Sequence, residues 1–371
     1  MTGRYFLGLA LGMAFVGALG AQDASSGPYK VLKTAKVGGL GGFDYIQADP
    51  AGRRLYIPRG GVQGDHPMPG RVTIFDLDTL APVGDIPETR ANGAAIDDKS
   101  GHGFASSSPV AMWDIKTQKL IKTIDMDPKC RPDGIMADPF NQRIYVFSHP
   151  TMDATVIDAK DGKVLGTVEL GGAPEQAISD GAGHVYAVIQ DKSNVAVIDA
   201  KTMKVTAHYD FTGKGARCNG LALDAKNHVL FAACGQSGAA PAAPGTPAQP
   251  TMIIMDAKDG KILTTLPLAG SSDGAVFNPK TMEAFSTHGN GTLTVIKENS
   301  PTSFVVEQNL QTMPGAKCVT LDSKTGHILT MAAEYGPAPT PPADAQPGRG
   351  GRGGRGPMLP DSFTILVIGK P

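Results

Sequence analysis

Hydrophobic and polar residues alternate along most of this chain, in short runs that end at Asp, Asn, Gly or Pro. Such alternation over about four to eight residues is typical of β-strands with one buried face. One phrase recurs: an alternating strand, an Asp, a short polar turn and a second alternating strand. It is clearest in VAMWDIKTQKLIKTI (110–124) and ATVIDAKDGKVLGTV (154–168). The pattern predicts an all-β protein built from repeated hairpins.

The spacing of the phrase predicts a β-propeller. Its Asp recurs at intervals of about 40 residues, with one longer interval before the fifth copy, and that period is typical of a propeller blade. The positions are Asp76, Asp114, Asp158, Asp199 and Asp256, with Lys297 in a degraded sixth copy. A second hairpin, such as GIMADPFNQRIYVFS (134–148), precedes each phrase. Two hairpins per period give four antiparallel strands, which make one blade.

The two ends of the chain set the number of blades. The last copy ends after its third strand, SFTILVIG (362–369), while YKVLKTAKV (29–37) has the pattern of a fourth strand without a blade. Pairing 29–37 with 362–369 would complete a seventh blade and remove two exposed strand edges. The sequence therefore predicts a seven-bladed β-propeller of four-stranded antiparallel blades, closed by its own termini.

The segment KSNVAVIDAKTMKV (192–205), with DATVIDAKDGKVLGTV beside it, resembles the YVTN-type β-propeller repeat of the YncE-like family of exported bacterial proteins. The resemblance extends over essentially the whole chain after the first 21 residues. It implies the propeller fold, but it implies no single function because the shared residues are strand and turn positions. Suggested roles in the family range from nucleic-acid binding to surface attachment.

The first 21 residues have the pattern of a signal peptide. Arg4 precedes an apolar run over 5–17, and Ala18-Leu19-Gly20-Ala21 has the small residues that signal peptidase recognises. The run is shorter than the roughly 20 residues of a membrane span. We therefore expect a signal peptide over 1–21, one propeller domain over 22–371, and a periplasmic or secreted protein without a membrane span after cleavage; an uncleaved anchor is the alternative.

Composition narrows the classes of partner. The formal net charge is −1, with 34 basic and 35 acidic side chains, so no overall field attracts nucleic acid or an anionic membrane. Pro-, Ala- and Gly-rich segments predict disordered loops at 236–250 and 336–360. GRGGRGGRG (348–356) resembles the Arg-Gly runs of RNA-binding tails, but a solvated low-complexity loop is the favoured interpretation. We expect a monomer that does not bind nucleic acid.

One face of the predicted propeller carries irregular loops. The connections between the second and third strands are long at 59–71, 235–251 and 334–361, whereas the opposite face has short uniform turns such as DPFNQ and DAKNH. Insertions concentrated on one face of a repeat array often mark its binding face. We expect a protein, peptide or small-molecule ligand to bind this loop-rich face.

The first residues of the seven innermost strands should surround the mouth of the central channel on that face. We call this set the mouth ring: Asp44, Asn92, Asp133, Glu175, Asn219, Asp273 and Lys317. Asp44 is its least secure member because Phe43 could occupy the same register. One interpretation is a turn motif in which Asp and Asn bind backbone amides. The other is a mouth that holds a cationic ligand or a divalent cation, Ca²⁺ or Mg²⁺, through Asp133, Glu175, Asn219 and Asp273.

Further candidates lie beside the mouth ring on the loop-rich face. They are Arg59, His149, His288 and Glu334 at the ends of second strands, and Arg131 and Arg217 before two first strands. His149 and His288 belong to blades on nearly opposite sides of the ring, so we do not expect them to share a metal. Arg131 and Arg217 could hold an anionic group or could be solvated surface charges.

Two of the four cysteines should face each other. The turn DAKNH centres a hairpin at Lys226, which places Cys218 opposite Cys234 on adjacent strands, at a separation that can suit a disulfide. Cys130 and Cys318 begin strands in different blades and should be too far apart to pair.

Motifs of known enzyme classes are absent from the sequence. It has no nucleophile elbow, zinc-ligand spacing, haem-attachment motif or phosphate-binding loop. The sequence therefore favours an exported non-catalytic binding scaffold, with no cofactor predicted. The alternative is a metal-assisted hydrolase resembling propeller lactonases, in which a channel cation activates water.

Overall fold

Alternating segments become strands throughout the part of the chain that the structure describes. The computed structural model describes residues 26–62, 67–87, 89–237, 249–337 and 356–371. These ranges contain seven four-stranded antiparallel sheets arranged as the blades of a propeller, which confirms the predicted fold. The predicted signal peptide (1–21) and most of the predicted loops at 236–250 and 336–360 lie outside the described residues. Within those ranges, no helix has the length and apolar character to cross a membrane.

The first three blades follow the chain in order. Blade one contains β2 (Gln47–Asp49), β3 (Arg54–Arg59), β4 (Arg71–Asp76) and β5 (Pro82–Ile86). Blade two contains β6 (Ala94–Asp97), β7 (His102–Ala105), β8 (Val110–Asp114) and β9 (Lys119–Ile124). Blade three contains β10 (Pro132–Asp138), β11 (Arg143–Ser148), β12 (Asp153–Asp158) and β13 (Val164–Glu169).

The next three blades repeat the arrangement, and the last combines both ends of the chain. Blade four contains β14 (Pro174–Ser179), β15 (His184–Ile189), β16 (Asn194–Asp199) and β17 (Lys204–Asp210). Blade five contains β18 (Gly215–Asp224), β19 (Val229–Ser237), β20 (Thr251–Asp256) and β21 (Ile262–Pro267). Blade six contains β22 (Ser272–Asn278), β23 (Glu283–His288), β24 (Thr292–Ser300) and β25 (Ser303–Gln311). Blade seven contains β26 (Lys317–Asp322), β27 (His327–Ala332), β28 (Thr364–Gly369) and β1 (Lys30–Lys36).

Ring closure has the predicted form. β1 pairs antiparallel with β28, with Lys30 opposite Gly369 and Lys36 opposite Thr364. Just before β1, Tyr29 is buried against blade six, where its backbone N–H donates to Gln308 Oε1 at 2.9 Å and its carbonyl accepts from Gln308 Nε2 at 2.9 Å. The closing strand is therefore attached to the neighbouring blade as well as to its own.

The recurring Asp fixes the turn between the third and fourth strands. Asp76 Oδ1 accepts hydrogen bonds from the backbone N–H of Thr79 at 2.9 Å and from its hydroxyl at 2.9 Å. The N–H of Leu80 then donates to the Asp76 carbonyl at 2.8 Å, with Leu80 in the left-handed region at φ 63°. Asp114 and Asp199 bind a threonine three residues later in the same way. These Asp residues stabilise turns on the face opposite the loop-rich one.

Apolar side chains pack between neighbouring blades. The single tryptophan, Trp113, is fully buried between blades one and two, and its ring centroid lies 5.8 Å from that of Tyr56. Phe43 lies in the cluster that joins blades seven and one, where its ring centroid is 5.0 Å from that of Phe363. Such interfaces hold each blade in place and fix where the innermost strands begin.

Candidate ligand-binding site at the channel mouth

Bulges position the side chains at the mouth of the channel. In five blades the pairing of the first and second strands shifts register near the start of the first strand. The shifts lie between Pro132 and Ile135, Pro174 and Ala177, Cys218 and Gly220, Ser272 and Gly274, and Lys317 and Thr320. A β-bulge bends a strand and redirects a side chain. The interrupted segments contain Asp133, Glu175, Asn219 and Asp273, which line the channel mouth.

All seven members of the mouth ring line one cavity of about 1130 Å³. Phe43 also touches this cavity, but it is 7% exposed and belongs to the core, while Asp44 and Tyr45 are partly exposed at the mouth. Arg131 and His149, predicted from the loop-rich face, line the same cavity. The positions aligned from the sequence repeat therefore converge on one cavity at one end of the propeller.

Other predicted loop-face residues lie outside the cavity lining. Arg59 is buried, with its guanidinium 3.7 Å from the centroid of the Phe363 ring and a hydrogen bond of 2.9 Å to the Gly39 carbonyl. His288 is also buried, and burial lowers its pKa to about 4. Its Nε2 is 2.9 Å from Thr294 Oγ1. Both residues therefore have packing roles in this structure.

The remaining two loop-face candidates are exposed but do not line the cavity. Glu334 lies in the connection before β28, where its backbone N–H donates to Ser362 Oγ at 3.1 Å. Arg217 lies in β18 with φ 54°, beside the disulfide pair. Position along the repeat was not sufficient to separate these residues from Arg131 and His149.

One side of the cavity contains a compensated acidic cluster. Lys317 Nζ lies 3.2 Å from Asp44 Oδ1 and 3.8 Å from Asp273 Oδ2. Burial lowers the pKa of Lys317, but Cys318, Asp44 and Asp273 raise it by more, so its ammonium stays charged. The Cys318 thiol donates to Asp44 Oδ1 at 2.9 Å. Two carboxylates here already have a cation between them.

A second acidic cluster surrounds a histidine. His149 Nε2 lies 3.5 Å from Asp133 Oδ2 and 3.5 Å from Glu175 Oε1. Burial and the negative charge of Asp133 raise the pKa of Glu175 to about 8, although a hydrogen bond from Tyr45 opposes the shift. An ionised Glu175 is therefore unfavourable unless a positive charge approaches it.

Hydrogen bonds hold Glu175 in one orientation. The Tyr45 hydroxyl, from blade one, donates to Glu175 Oε2 at 3.0 Å across the channel. Gln190 Nε2 donates to Glu175 Oε1 at 2.7 Å and to Asn219 Oδ1 at 2.8 Å. Tyr45 is absent from the predicted set, whereas Gln190 directly follows a second strand, as the predicted candidate His149 does. Tyr45 could have been found from its place beside Asp44, whereas its contact with the opposite side of the ring requires three-dimensional coordinates.

The channel is crossed immediately beyond the mouth ring. Gln176 Oε1 accepts hydrogen bonds from the backbone N–H groups of Leu221 at 3.0 Å and Ala275 at 2.9 Å, while its Nε2 donates to the Ala275 carbonyl at 2.8 Å. One side chain of blade four thus joins blades five and six across the axis. The cavity lined by the mouth ring is therefore closed at its inner end by the hydrogen-bonded side chain of Gln176, and we call this cavity the cup.

The outer rim of the cup is basic. Arg90 and Arg131 line the cavity and are exposed, whereas the carboxylates lie deeper and are partly or fully buried. The deep end therefore attracts positive charge, and the rim offers two guanidinium groups to an anion. A ligand that carries both signs of charge would match this arrangement.

The structure joins Cys218 and Cys234 by a disulfide, and the two residues lie directly opposite each other in β18 and β19. The bridge is adjacent to Asn219 of the mouth ring. Cys130 and Cys318 are buried free thiols in different blades.

Comparisons with known proteins identify the fold but not a family. No family model and no curated protein matches the chain. Among solved structures, the hydrazine synthase of Kuenenia stuttgartiensis is similar with a TM-score of 0.63 and 17% identity, over 78% of this chain and 92% of that one. The WD40 domain of Pan2 from Neurospora crassa gives a TM-score of 0.63 and 14% identity, over 94% and 97% of the two chains.

Similarity at this level of identity concerns the fold alone. The chain is a seven-bladed all-β propeller. A propeller fold does not determine function, which depends on the chemistry of the residues in the cup.

Proposed function

We propose that this protein is an exported binding scaffold of the YncE-like type, and that its ligand site is the cup at the channel mouth. The observation that carries the proposal is the convergence of all seven mouth-ring residues on one cavity of about 1130 Å³. The signal-peptide pattern at 1–21 supports export, and the YVTN-type repeats support the family.

The size and charge of the cup favour a small polar ligand or the end of a peptide. Ligand pockets commonly have volumes of about 300–1,000 Å³, and this cavity of about 1130 Å³ is slightly larger than that range. A positive charge would stabilise the ionised carboxylates of Asp133 and Glu175, and Arg90 and Arg131 at the rim suit a carboxylate or phosphate. The ligand class is thus a molecule with an anionic group at the rim and a cation in the deep end.

A screen with a blocking variant tests the location of the site. Amino acids, short peptides, organic acids and sugar phosphates are screened by thermal shift, and hits are measured by calorimetry. Asn92→Trp places an indole in the cup and should weaken binding of a hit at least tenfold. Arg217→Trp adds the same side chain on the same face but outside the cavity lining, so it should leave the affinity unchanged.

Two results would contradict this location. A hit that binds Asn92→Trp as tightly as the unmodified protein would place the ligand elsewhere. A hit lost in Arg217→Trp but retained in Asn92→Trp would move the site to blade five.

A metal-assisted hydrolase is the second candidate. It is favoured by the cluster of Asp133, His149 and Glu175, whose potential ligand atoms lie within 4.8 Å of one another. A cation there would lower the pKa of a bound water, which would attack a lactone or ester carbonyl to give the hydroxy acid or the acid and alcohol. Hydrolysis of a lactone panel that is lost in His149→Ala would support this candidate. If none of the lactones is hydrolysed at any metal concentration, these compounds are excluded as substrates.

A further inference from the structure

Three side chains from two neighbouring blades converge at the deep end of the cup. Asp133 lies in β10, His149 follows β11, and Glu175 lies in β14. Their potential ligand atoms all lie within 4.8 Å of one another. Glu175 is 9% exposed, and the side chains of Asp133 and His149 are 21% and 36% exposed, so the cluster combines one buried carboxylate with two partly exposed groups of the cavity lining.

The distances in this cluster do not suit hydrogen bonds. His149 Nε2 is 3.5 Å from an oxygen of Asp133 and 3.5 Å from an oxygen of Glu175, beyond the usual range of about 2.7–3.2 Å. The Nε2 atom is buried and has no hydrogen-bond partner. The nitrogen and the two carboxylate oxygens therefore face one another at a separation that a protonated imidazole or a bound cation would stabilise.

The same distances suit metal coordination. Ligands that bind a tetrahedral Zn²⁺ at about 2.1 Å lie roughly 3.4 Å apart. The two nitrogen–oxygen separations of 3.5 Å are close to that edge length. Three protein ligands also leave a coordination position open toward the cavity, as in catalytic rather than structural zinc sites.

Surrounding residues hold the carboxylate of Glu175 as outer-shell groups do in metal sites. Tyr45 donates to Oε2 at 3.0 Å and Gln190 donates to Oε1 at 2.7 Å. Burial and Asp133 raise the pKa of Glu175 to about 8, and a bound divalent cation would remove this penalty. The electrostatic effect is consistent with the geometry but does not by itself define a ligand.

The other acidic cluster of the cup provides an internal contrast. Asp44, Asp273 and Cys318 also have ligand atoms within 4.8 Å of one another. There, however, Lys317 Nζ lies 3.2 Å from Asp44 and 3.8 Å from Asp273. A metal ion would have to displace that ammonium, so the charge of this cluster is already compensated.

We propose that Asp133, His149 and Glu175 bind one divalent first-row transition metal ion. The imidazole nitrogen favours Zn²⁺ over the Ca²⁺ or Mg²⁺ expected from oxygen ligands alone. Asn219 and Asp273, part of the set predicted from the sequence, are not ligands in this arrangement. This proposal rests on the proposed function only in placing the ligand site in the cup. The metal ion would be the positive charge beside Asp133 and Glu175.

Calorimetric titration of untagged, EDTA-treated and dialysed protein with ZnCl₂, MnCl₂ and CaCl₂ tests the proposal. We expect one Zn²⁺ per chain, weaker Mn²⁺ and still weaker Ca²⁺. His149→Ala should weaken Zn²⁺ binding at least a hundredfold, and Glu175→Gln should weaken it at least tenfold. His208→Ala removes an exposed histidine of β17 and should leave the affinity within twofold.

The controls separate this site from other zinc-binding groups. Circular dichroism verifies that each variant is folded, and Glu175→Gln keeps the proposal testable if His149→Ala does not fold. The proposal is overturned if Zn²⁺ does not bind, or if both variants bind it like the unmodified protein, as zinc on the Asp44–Asp273–Cys318 cluster would. If Zn²⁺ does not bind but an organic ligand still binds the cup, the metal proposal fails and the proposed function stands.

Discussion

Replacing Glu175 with Gln should change how stability depends on pH. In the folded protein, burial and Asp133 raise the pKa of Glu175 from its ordinary 4.5 to about 8. Between these values the folded state retains a proton that the unfolded state releases, so the contribution of Glu175 to stability falls as pH rises from about 4.5 to 8. Above pH 8 both states are ionised and the full penalty of a buried carboxylate remains.

The magnitude follows from the same two pKa values. One pKa unit corresponds to about 1.4 kcal/mol, so a rise from 4.5 to about 8 sets a ceiling of about 5 kcal/mol. Relaxation of the cup and entry of water would reduce the effect to a few kcal/mol. Gln keeps the shape and hydrogen-bonding capacity without the charge, because the Tyr45 hydroxyl can accept from the new amide.

Urea unfolding in EDTA at pH 5.0 and pH 9.0 measures the effect. At pH 5.0 the unmodified protein and Glu175→Gln should have nearly equal free energies of unfolding. At pH 9.0 the variant should be more stable by a few kcal/mol. Glu334→Gln, at an exposed position outside the cavity lining, serves as the matched control and should show no pH-dependent difference. An equal difference at both pH values for Glu175→Gln would refute the reasoning.

Three further variants test the contacts that hold the propeller together. Gln308→Leu removes both hydrogen bonds to the buried backbone of Tyr29 and should lower the free energy of unfolding by about 2–4 kcal/mol, measured by urea denaturation. A loss below about 0.5 kcal/mol would show that these two hydrogen bonds are unimportant for stability. The double variant Cys218→Ser/Cys234→Ser removes the disulfide between residues 16 apart and should lower the free energy of unfolding by about 3 kcal/mol, measured by urea denaturation with and without reductant. Equal stability of the variant and the oxidised protein would contradict the presence of the disulfide. Gly103→Ala directs a methyl group into the buried indole of Trp113 and should destabilise the protein by about 1–3 kcal/mol. The fluorescence of the single tryptophan should also shift. An unchanged fluorescence spectrum and an unchanged midpoint of urea unfolding would show that the interface between blades one and two can expand.

The fold was predictable because its signals are local and repeated. Alternation defined the strands, the Asp-containing turns defined the hairpins, and the orphan segment 29–37 defined the closure. The pairing of Cys218 with Cys234 followed from the centre of one turn. Each inference used residues that are close in sequence or occupy equivalent places in the repeat.

The site was predictable only in part because its contacts cross the ring. Equivalent positions placed Asp133, Glu175 and Lys317 at the mouth, yet the repeat could not show that Lys317 neutralises one cluster while His149 belongs to the other. The buried state of Arg59 and His288 depends on packing by blade seven and by β24. Long-range partners of this kind leave no periodic trace in the sequence.

Crystallographic fragment soaking tests most directly whether the cup is the ligand site. Small amines, carboxylates and zwitterions are soaked into crystals of the unmodified protein, with and without Zn²⁺. We predict that bound fragments cluster in the cup, with anionic groups toward Arg90 and Arg131. Fragments that collect instead on the opposite face or between the outer strands, with the cup occupied by solvent alone, would contradict the central claim.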